Sequence, residues 1–348
     1  RAIELKGNNF DPVYHFERGL SYLQSGDTQR AIKDFDTAIT LEHQFVEAYS
    51  QRANAYIQEE RYREALLDLD KVIELDEADT WALVRRAEVF IALGQIDEGF
   101  DSLNEAIEKT PDDPTFYLTR AKAYANVYQD VRKALVDVNK AIALDNQYAE
   151  AFMCRAKLYK TLLHDHNKAL SDLNRALSVD PDHSESYYER ALILRHIGRN
   201  DEALDDLNHS IELTPDSSAY AARADLLCSH RRDIDASLKD CERALDYNPN
   251  NIEALGLKAT ILVLHKQQAE EALPLLNHSL SVQPDQVAPY ALRALIHLKF
   301  IPNKEAYDAD MEELGTRVGS PESILDSLVS ASEEEIDITE QLAQLRKA

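Results

Sequence analysis

Residues 31–39 read Ala31-Ile32-Lys33-Asp34-Phe35-Asp36-Thr37-Ala38-Ile39, and the same phrase returns from Ala65, Gly99, Ala134, Ala169, Ala203, Ser237 and Ala272. Its small and apolar residues step by 3 and 4, so they share one stripe of a helix and leave the charged residues on the other side. The copies close on an apolar residue and a turn, as at Val179-Asp180-Pro181 and Leu213-Thr214-Pro215, where proline stops the helix. Upstream of each phrase lies a second periodic stretch. Its mark is a pair: Arg18-Gly19, Arg52-Ala53, Arg86-Ala87, Arg120-Ala121, Arg155-Ala156, Arg190-Ala191, Arg223-Ala224, Lys258-Ala259 and Arg293-Ala294, spaced by 34, 34, 34, 35, 35, 33, 35 and 35 residues. An aromatic residue or Leu three before the Arg and another four after it, as Tyr49 and Tyr56 around Arg52, complete a helical stripe. The expected fold class is all-α, one helix-turn-helix hairpin repeated along the chain.

A 34-residue helix pair with a small residue in helix A, Ala opening helix B, Ala seven further on and a closing Pro resembles the tetratricopeptide repeat family. Nine copies cover residues 12–315, starting near 12, 46, 80, 114, 149, 184, 217, 252 and 287. The resemblance implies a right-handed superhelical α-solenoid whose hairpins stack through their small residues. Two positions depart from the family: its Trp slot is mostly Tyr here, and the Leu before its small residue is Arg. Ala2-Ile3-Glu4-Leu5 matches Ala38-Ile39-Thr40-Leu41, so residues 1–11 are expected to be the tail of an upstream repeat and the chain a fragment. Residues 316–348 are expected to form acidic capping helices, with Ser332 and Glu335 as a capping box for the last one.

Composition removes several function classes. The chain has 348 residues, with 38 Lys and Arg against 63 Asp and Glu, a net charge of −25. Such a charge repels phosphate backbones and anionic headgroups, so nucleic acid is not an expected partner. No apolar run reaches the length of a membrane span, and Arg1 to Asn9 lack the apolar core of a signal peptide, so no membrane insertion is expected. The three cysteines, Cys154, Cys228 and Cys241, fit a reducing compartment, and the expected location is cytoplasmic. A phosphate-binding glycine loop, His-Glu-x-x-His, Cys-x-x-Cys and a nucleophile elbow are all missing from the sequence, so neither enzyme activity, a small-molecule substrate nor a cofactor is expected. His164-Asp165-His166 falls in the turn of the fifth hairpin and reads as solvated loop. Asn208-His209-Ser210 and Asn277-His278-Ser279 match a glycosylation sequon inside helix B and read as chance.

The repeated Arg has a repeated partner. Asp34, Asp68, Asp137, Asp172, Asp206 and Asp240 lie 16 or 17 residues after Arg18, Arg52, Arg120, Arg155, Arg190 and Arg223, while Lys258 faces Leu275 in that register. The row could be an anion-binding ladder; its recurrence beside the packing residue favours Arg-to-Asp bridges between helices A and B. Function is expected on the helix-A stripe that stacking leaves unused, which in the resembling family lines the concave groove. That stripe lacks the Lys and Asn pair of the chaperone-tail clamps and the Asn ladder of the sugar-transferase relatives. It carries Lys122, Lys157, Lys160 and Arg195, with Met153 and Tyr188 beside them and Trp81 in the third repeat. A basic strip in an acidic body points to another protein as partner, bound through an acidic peptide segment. The expected function is a scaffold or adaptor. The alternatives are the substrate-recruiting arm of a larger enzyme and a bacterial effector docking on host proteins. A further expectation has Glu333 to Asp337 competing for the same strip.

Overall fold

The structure, a computed structural model, describes residues 11–326. The expected repeat tail before Asp11, the capping box at Ser332 and Glu335, and the competing segment from Glu333 lie outside the described residues. All regular elements among the described residues are helical. They run α1 (Pro12–Gln24), α2 (Thr28–Leu41), α3 (Val46–Gln58), α4 (Tyr62–Leu75), α5 (Thr80–Ala92), α6 (Ile96–Lys109), α7 (Pro114–Ala123), α8 (Val131–Leu144) and α9 (Ala149–Thr161). After these come α10 (His166–Val179), α11 (Ser184–His196), α12 (Asn200–Leu213), α13 (Ser217–Leu226), α14 (Ile234–Tyr247), α15 (Ile252–Leu264), α16 (Ala269–Val282), α17 (Ala288–Leu295) and α18 (Lys304–Arg317). A further helix starts at 321. The chain divides after Asp165 into two compact units, with α1–α9 in the first and α10–α18 in the second. No helix among the described residues is long and apolar enough to cross a membrane.

Within each unit the odd-numbered helices are the A helices of hairpins and the even-numbered ones their B partners. Successive A helices also touch, α1 with α3, α5 with α7 and α7 with α9 in the first unit, α11 with α13, α13 with α15 and α15 with α17 in the second. Small residues allow the approach. Ala31, Ala53, Ala65 and Ala87 are fully buried. At Gly19 even a Cβ would come within 2.6 Å of the Phe35 ring, because Phe35 stands where other hairpins carry Leu69, Leu103 or Leu207. Gly19 and Phe35 are therefore one packing unit, the larger ring requiring the smaller residue opposite. Ser237 replaces the helix-B alanine and, being buried, gives its hydroxyl proton to the Ala224 carbonyl at 2.7 Å.

Hairpin length is set mainly in the inner turn; the single 33-residue step, Arg190 to Arg223, comes instead from three residues rather than four between α12 and α13. Gly26, Glu60, Gly94 and Gly198, each eight residues after the repeated Arg, have φ of 79°, 56°, 76° and 81°. In the longer hairpins the left-handed residue falls nine after it, at Gln129, His164, Arg232 and Gln267. The extra residue is absorbed as a π-helical turn at Tyr124–Tyr128 and Leu227–Arg231, and as a longer loop after α9 and α15. Helix starts are fixed by carboxylates and amides: Asp27, Asp79, Asp130 and Asp233 each accept from a backbone N–H in the first turn. One expectation shifts here. The ninth repeat, expected to close at 315, runs on to Arg317, which reaches back to the Glu313 carbonyl and side chain and across to the Pro284 carbonyl, while Leu314 is fully buried.

Candidate interaction surface

The charged residues that repeat are spent inside the stack. Arg52 donates from Nε and Nη2 to both oxygens of Asp68, at 2.8 and 2.6 Å, and from Nη1 to Asp36 at 2.6 Å. The same bidentate contact joins Arg18 to Asp34, Arg120 to Asp137, Arg190 to Asp206 and Arg223 to Asp240, with every N to O distance between 2.6 and 3.0 Å. These aspartates are buried, and the guanidiniums of Arg52, Arg120, Arg190 and Arg223 lie over the rings of Tyr49, Tyr117, Tyr187 and Tyr220 at 5.5 to 5.8 Å. Burial pushes the Asp68 carboxyl above its ordinary range while Arg52 pulls against it. Arg155 and Asp172 stand in different units.

Half of this ladder escapes the sequence reading. The remaining guanidinium nitrogen reaches back to helix B of the preceding hairpin: Arg120 to Asn104, Arg155 to Asn139, Arg190 to Asn174 and Arg223 to Asn208, at 2.7 to 2.8 Å. Each of these Arg residues thus ties its own A helix to the helix B before it. Arg293 does the same with Asp310 and Asn277, a pair the 17-residue spacing could have found. Arg86 has Ser102 in the aspartate place and collects Asp70 and Glu105 instead. Asn208 and Asn277, the two sequon asparagines, are thereby occupied as acceptors for Arg223 and Arg293.

The residues expected to bind a partner are distributed unevenly. Lys122, Met153, Lys157 and Lys160 belong to the first unit, Tyr188 and Arg195 to the second. Lys122 Nζ lies 2.7 Å from Glu150, and Arg195 lies 2.8 Å from Asp225. Burial works against the Lys122 charge, but Glu150 outweighs it and holds its pKa above the ordinary value. Met153 is buried and offers no contact surface, since its place on α9 faces the interior along with Phe152 and Cys154. Tyr188 is partly buried, its phenol pushed up to about 12 by burial, with the Glu253 charge adding to it. Trp81 is 40% exposed with the Arg85 guanidinium 5.8 Å from its ring. Among the described residues no group of three or more His, Cys, Asp or Glu could hold a metal, and the three cysteines are buried.

A cavity of about 480 Å3 in the second unit opens on the same helix-A stripe. Its walls come from α15, α16, the loop from 283 to 287, the start of α17 and the end of α18: Gly256, Leu276, Val287, Pro289 and Leu292 give an apolar lining, and Glu253, Asp285 and Arg317 supply charge. The space exists because α15 presents Gly256 where other A helices carry a side chain, and because five residues rather than the usual four separate α16 from α17. Glu253, Gly256, Thr260 and Ala288 all fall on the helix-A stripe, and none of them was among the residues expected to bind. A missing side chain gives no chemical signal in a sequence.

Tetratricopeptide repeat profiles match residues 16–80, 56–123 and 161–228. The chain belongs to the tetratricopeptide repeat family. Its fold is that of a protein-interaction scaffold. Solved structures agree on the fold. A tetratricopeptide repeat protein from Parabacteroides merdae superposes with a TM-score of 0.54 at 17% identity, over 71% of this chain and 97% of that one. The Pseudomonas aeruginosa pilF structure gives 0.56 at 17%, over 63% and 98%. The APC/C hetero-tetramer Cut9–Hcn1 gives 0.61 at 15%, over 95% of this tetratricopeptide chain and 64% of that one. No curated protein matches the sequence.

Proposed function

We propose that this tetratricopeptide array is a scaffold or adaptor whose helix-A face takes an extended segment or helix of a partner protein, anchored by an apolar side chain in the cavity beside Gly256. The observation that carries the reading is the cavity itself: an apolar floor with three charged groups at its lining, within the size range of ligand pockets, on the stripe that stacking leaves free. Affinity then comes from one buried anchor on a preformed surface rather than from the whole face. Glu253 and Asp285 favour a segment with Lys or Arg next to its apolar anchor. An acidic segment on the Lys122 and Arg195 positions has to displace Glu150 or Asp225 first. The APC/C hetero-tetramer Cut9–Hcn1, similar in fold, is itself a protein assembly, which supports a protein as the partner.

Selection of random displayed peptides against the full chain tests this. Enriched peptides should share an apolar residue flanked by basic ones, and should lose binding to Gly256→Leu, which fills the cavity, and to Glu253→Lys, which reverses an exposed charge at its edge. Enriched peptides that bind both variants as tightly as the parent, at unchanged thermal stability, overturn the reading.

A further inference from the structure

A different face of the second unit carries a second surface. Between α12 and α14, over the floor made by Tyr220, Arg223 and Leu227 of the helix between them, lies a groove of about 630 Å3. Arg231, Lys239 and Arg243 line it along with Arg223, against two carboxylates, Asp205 and Asp240. Asp240 is already held by both nitrogens of Arg223, so it does not neutralise the others. Arg231 is tied only to Asp201, itself largely exposed and shared with His230, and Arg243 stands 3.8 Å from Asp246. Lys239 is exposed at the groove wall. In a chain of charge −25, this is a local surplus of cations that the ladder does not use.

The repeat supplies its own reference. One hairpin earlier, a cavity of about 290 Å3 sits between α10 and α12 over Arg190 and Leu194. It is built from matching positions, Asn174 for Asn208 and Asp206 for Asp240, yet where the later groove has Ala236 and Lys239 it has Glu202 and Asp205. Its extra cation, Arg199, is paired with Glu202 at 2.5 Å. The two sites are built from matching helix positions and differ in charge: the basic character comes from Lys239 and Arg243 of α14 and from Arg231 of the π-helical turn, which has no counterpart in the earlier hairpin.

We propose that the groove between α12 and α14 binds an acidic segment of a partner protein, its carboxylates meeting Arg231, Lys239 and Arg243 and its apolar atoms lying on Tyr220 and Leu227. A peptide is favoured over a membrane because it enters the groove alone, whereas an anionic bilayer must face the rest of this acidic chain as well. The groove also has room for several side chains, more than a single phosphate would fill. This surface is separate from the cavity beside Gly256, and either reading stands without the other.

The test is fluorescence anisotropy of a labelled Glu-rich dodecapeptide titrated with the full chain, alongside the same peptide with Gln for Glu. The acidic peptide should bind and the Gln peptide should not, and binding should fade from about 0.05 to about 0.5 M NaCl as screening shortens the range of the charges. The double variant Lys239→Glu/Arg243→Glu should weaken it by about tenfold or more, both sites being exposed and both charges reversed. Arg199→Glu, in the earlier groove, should leave it within about twofold, and Asp205→Asn should tighten it. No binding by the parent chain, equal loss in the Arg199→Glu variant, or an unchanged Lys239→Glu/Arg243→Glu variant overturns the proposal. So does tighter association with phosphatidylserine vesicles than with the peptide, lost in the same double variant.

Discussion

The second and eighth hairpins solve the same packing problem with different chemistry. In α3 and α4, Arg52 is bound by Asp68 of its own hairpin and Asp36 of the one before, all within 2.8 Å, and the pair with Asp68 is buried. In α15 and α16 the corresponding residues are Lys258 and Leu275, and Lys258 keeps only the backward contact, to Glu242 at 3.2 Å. The eighth hairpin gains apolar burial instead: Leu255, Leu257, Ile261, Leu262 and Val263 of α15 are all buried. It also tolerates Pro274 inside α16. The ion-paired rung is thus one way to join helices A and B, and the fold does not depend on it. A buried ion pair holds geometry and register, whereas apolar surface of similar volume supplies stability without desolvating two charges.

The largest test of this comparison removes one partner. Asp68→Ala leaves Arg52 half-buried beside a void and should cost about 3 to 5 kcal/mol, read as lost hydrogen-exchange protection in α3 and α4 before the rest of the first unit. Replacing both members, Arg52→Lys with Asp68→Leu, copies the eighth hairpin and should recover most of that loss. If the double replacement is as damaging as the single one, the ladder is required for the fold and the comparison fails.

A titration separates the ladder from the rest of the core. Burial pushes the Cys154 thiol up from an ordinary 9.0 to about 11. The folded state therefore keeps this proton longer than the unfolded chain does. The stability it contributes is intact below pH 9 and lost as pH rises from 9 to about 11, by about 2 to 3 kcal/mol. The Arg52 pKa is raised further, so its charge does not change in that window. Urea unfolding at successive pH values should show this alkaline slope in the parent and in Asp68→Ala, and a flatter one in Cys154→Ala.

Two smaller substitutions sharpen the comparison from the backbone side. Pro274 lacks the N–H that α16 needs at that position, and its side chain is exposed, so Pro274→Ala should raise stability by about 1 to 3 kcal/mol, less what proline gains by restricting the unfolded chain. In the second hairpin the left-handed turn residue is Glu60, where Gly26, Gly94 and Gly198 serve elsewhere. Glu60→Gly should therefore be neutral or stabilising by up to about 1 kcal/mol in a thermal melt. A loss there would mean that the Glu60 side chain contributes more than its backbone strain costs.

The hairpins were legible because a 34-residue period writes the same helical stripe nine times, and the Arg-to-Asp pairing followed from a constant offset. The backward half of the ladder was equally periodic, through Asp36, Asp70, Asn104, Asn139, Asn174 and Asn208. It is less legible because the acceptor changes from Asp in the first hairpins to Asn in the later ones, on an otherwise polar face. The basic strip was only half legible for a different reason. Lys122 and Arg195 were visible as cations, but their neutralisation by Glu150 and Asp225 depends on side chains 28 and 30 residues away meeting across adjacent A helices.

By itself the sequence determined the all-α hairpin repeat, the small-residue contacts that let the hairpins stack, and the internal Arg-to-Asp bridges. All of these rest on residues that recur at a fixed spacing, and a repeated local pattern needs no knowledge of distant neighbours. Only the tertiary structure decided which charges remain available and where space is left open. The burial of Met153, the opening beside Gly256 and the cationic groove over Tyr220 each depend on what the neighbouring helix fails to fill, and that is a property of packing between elements rather than of any one of them.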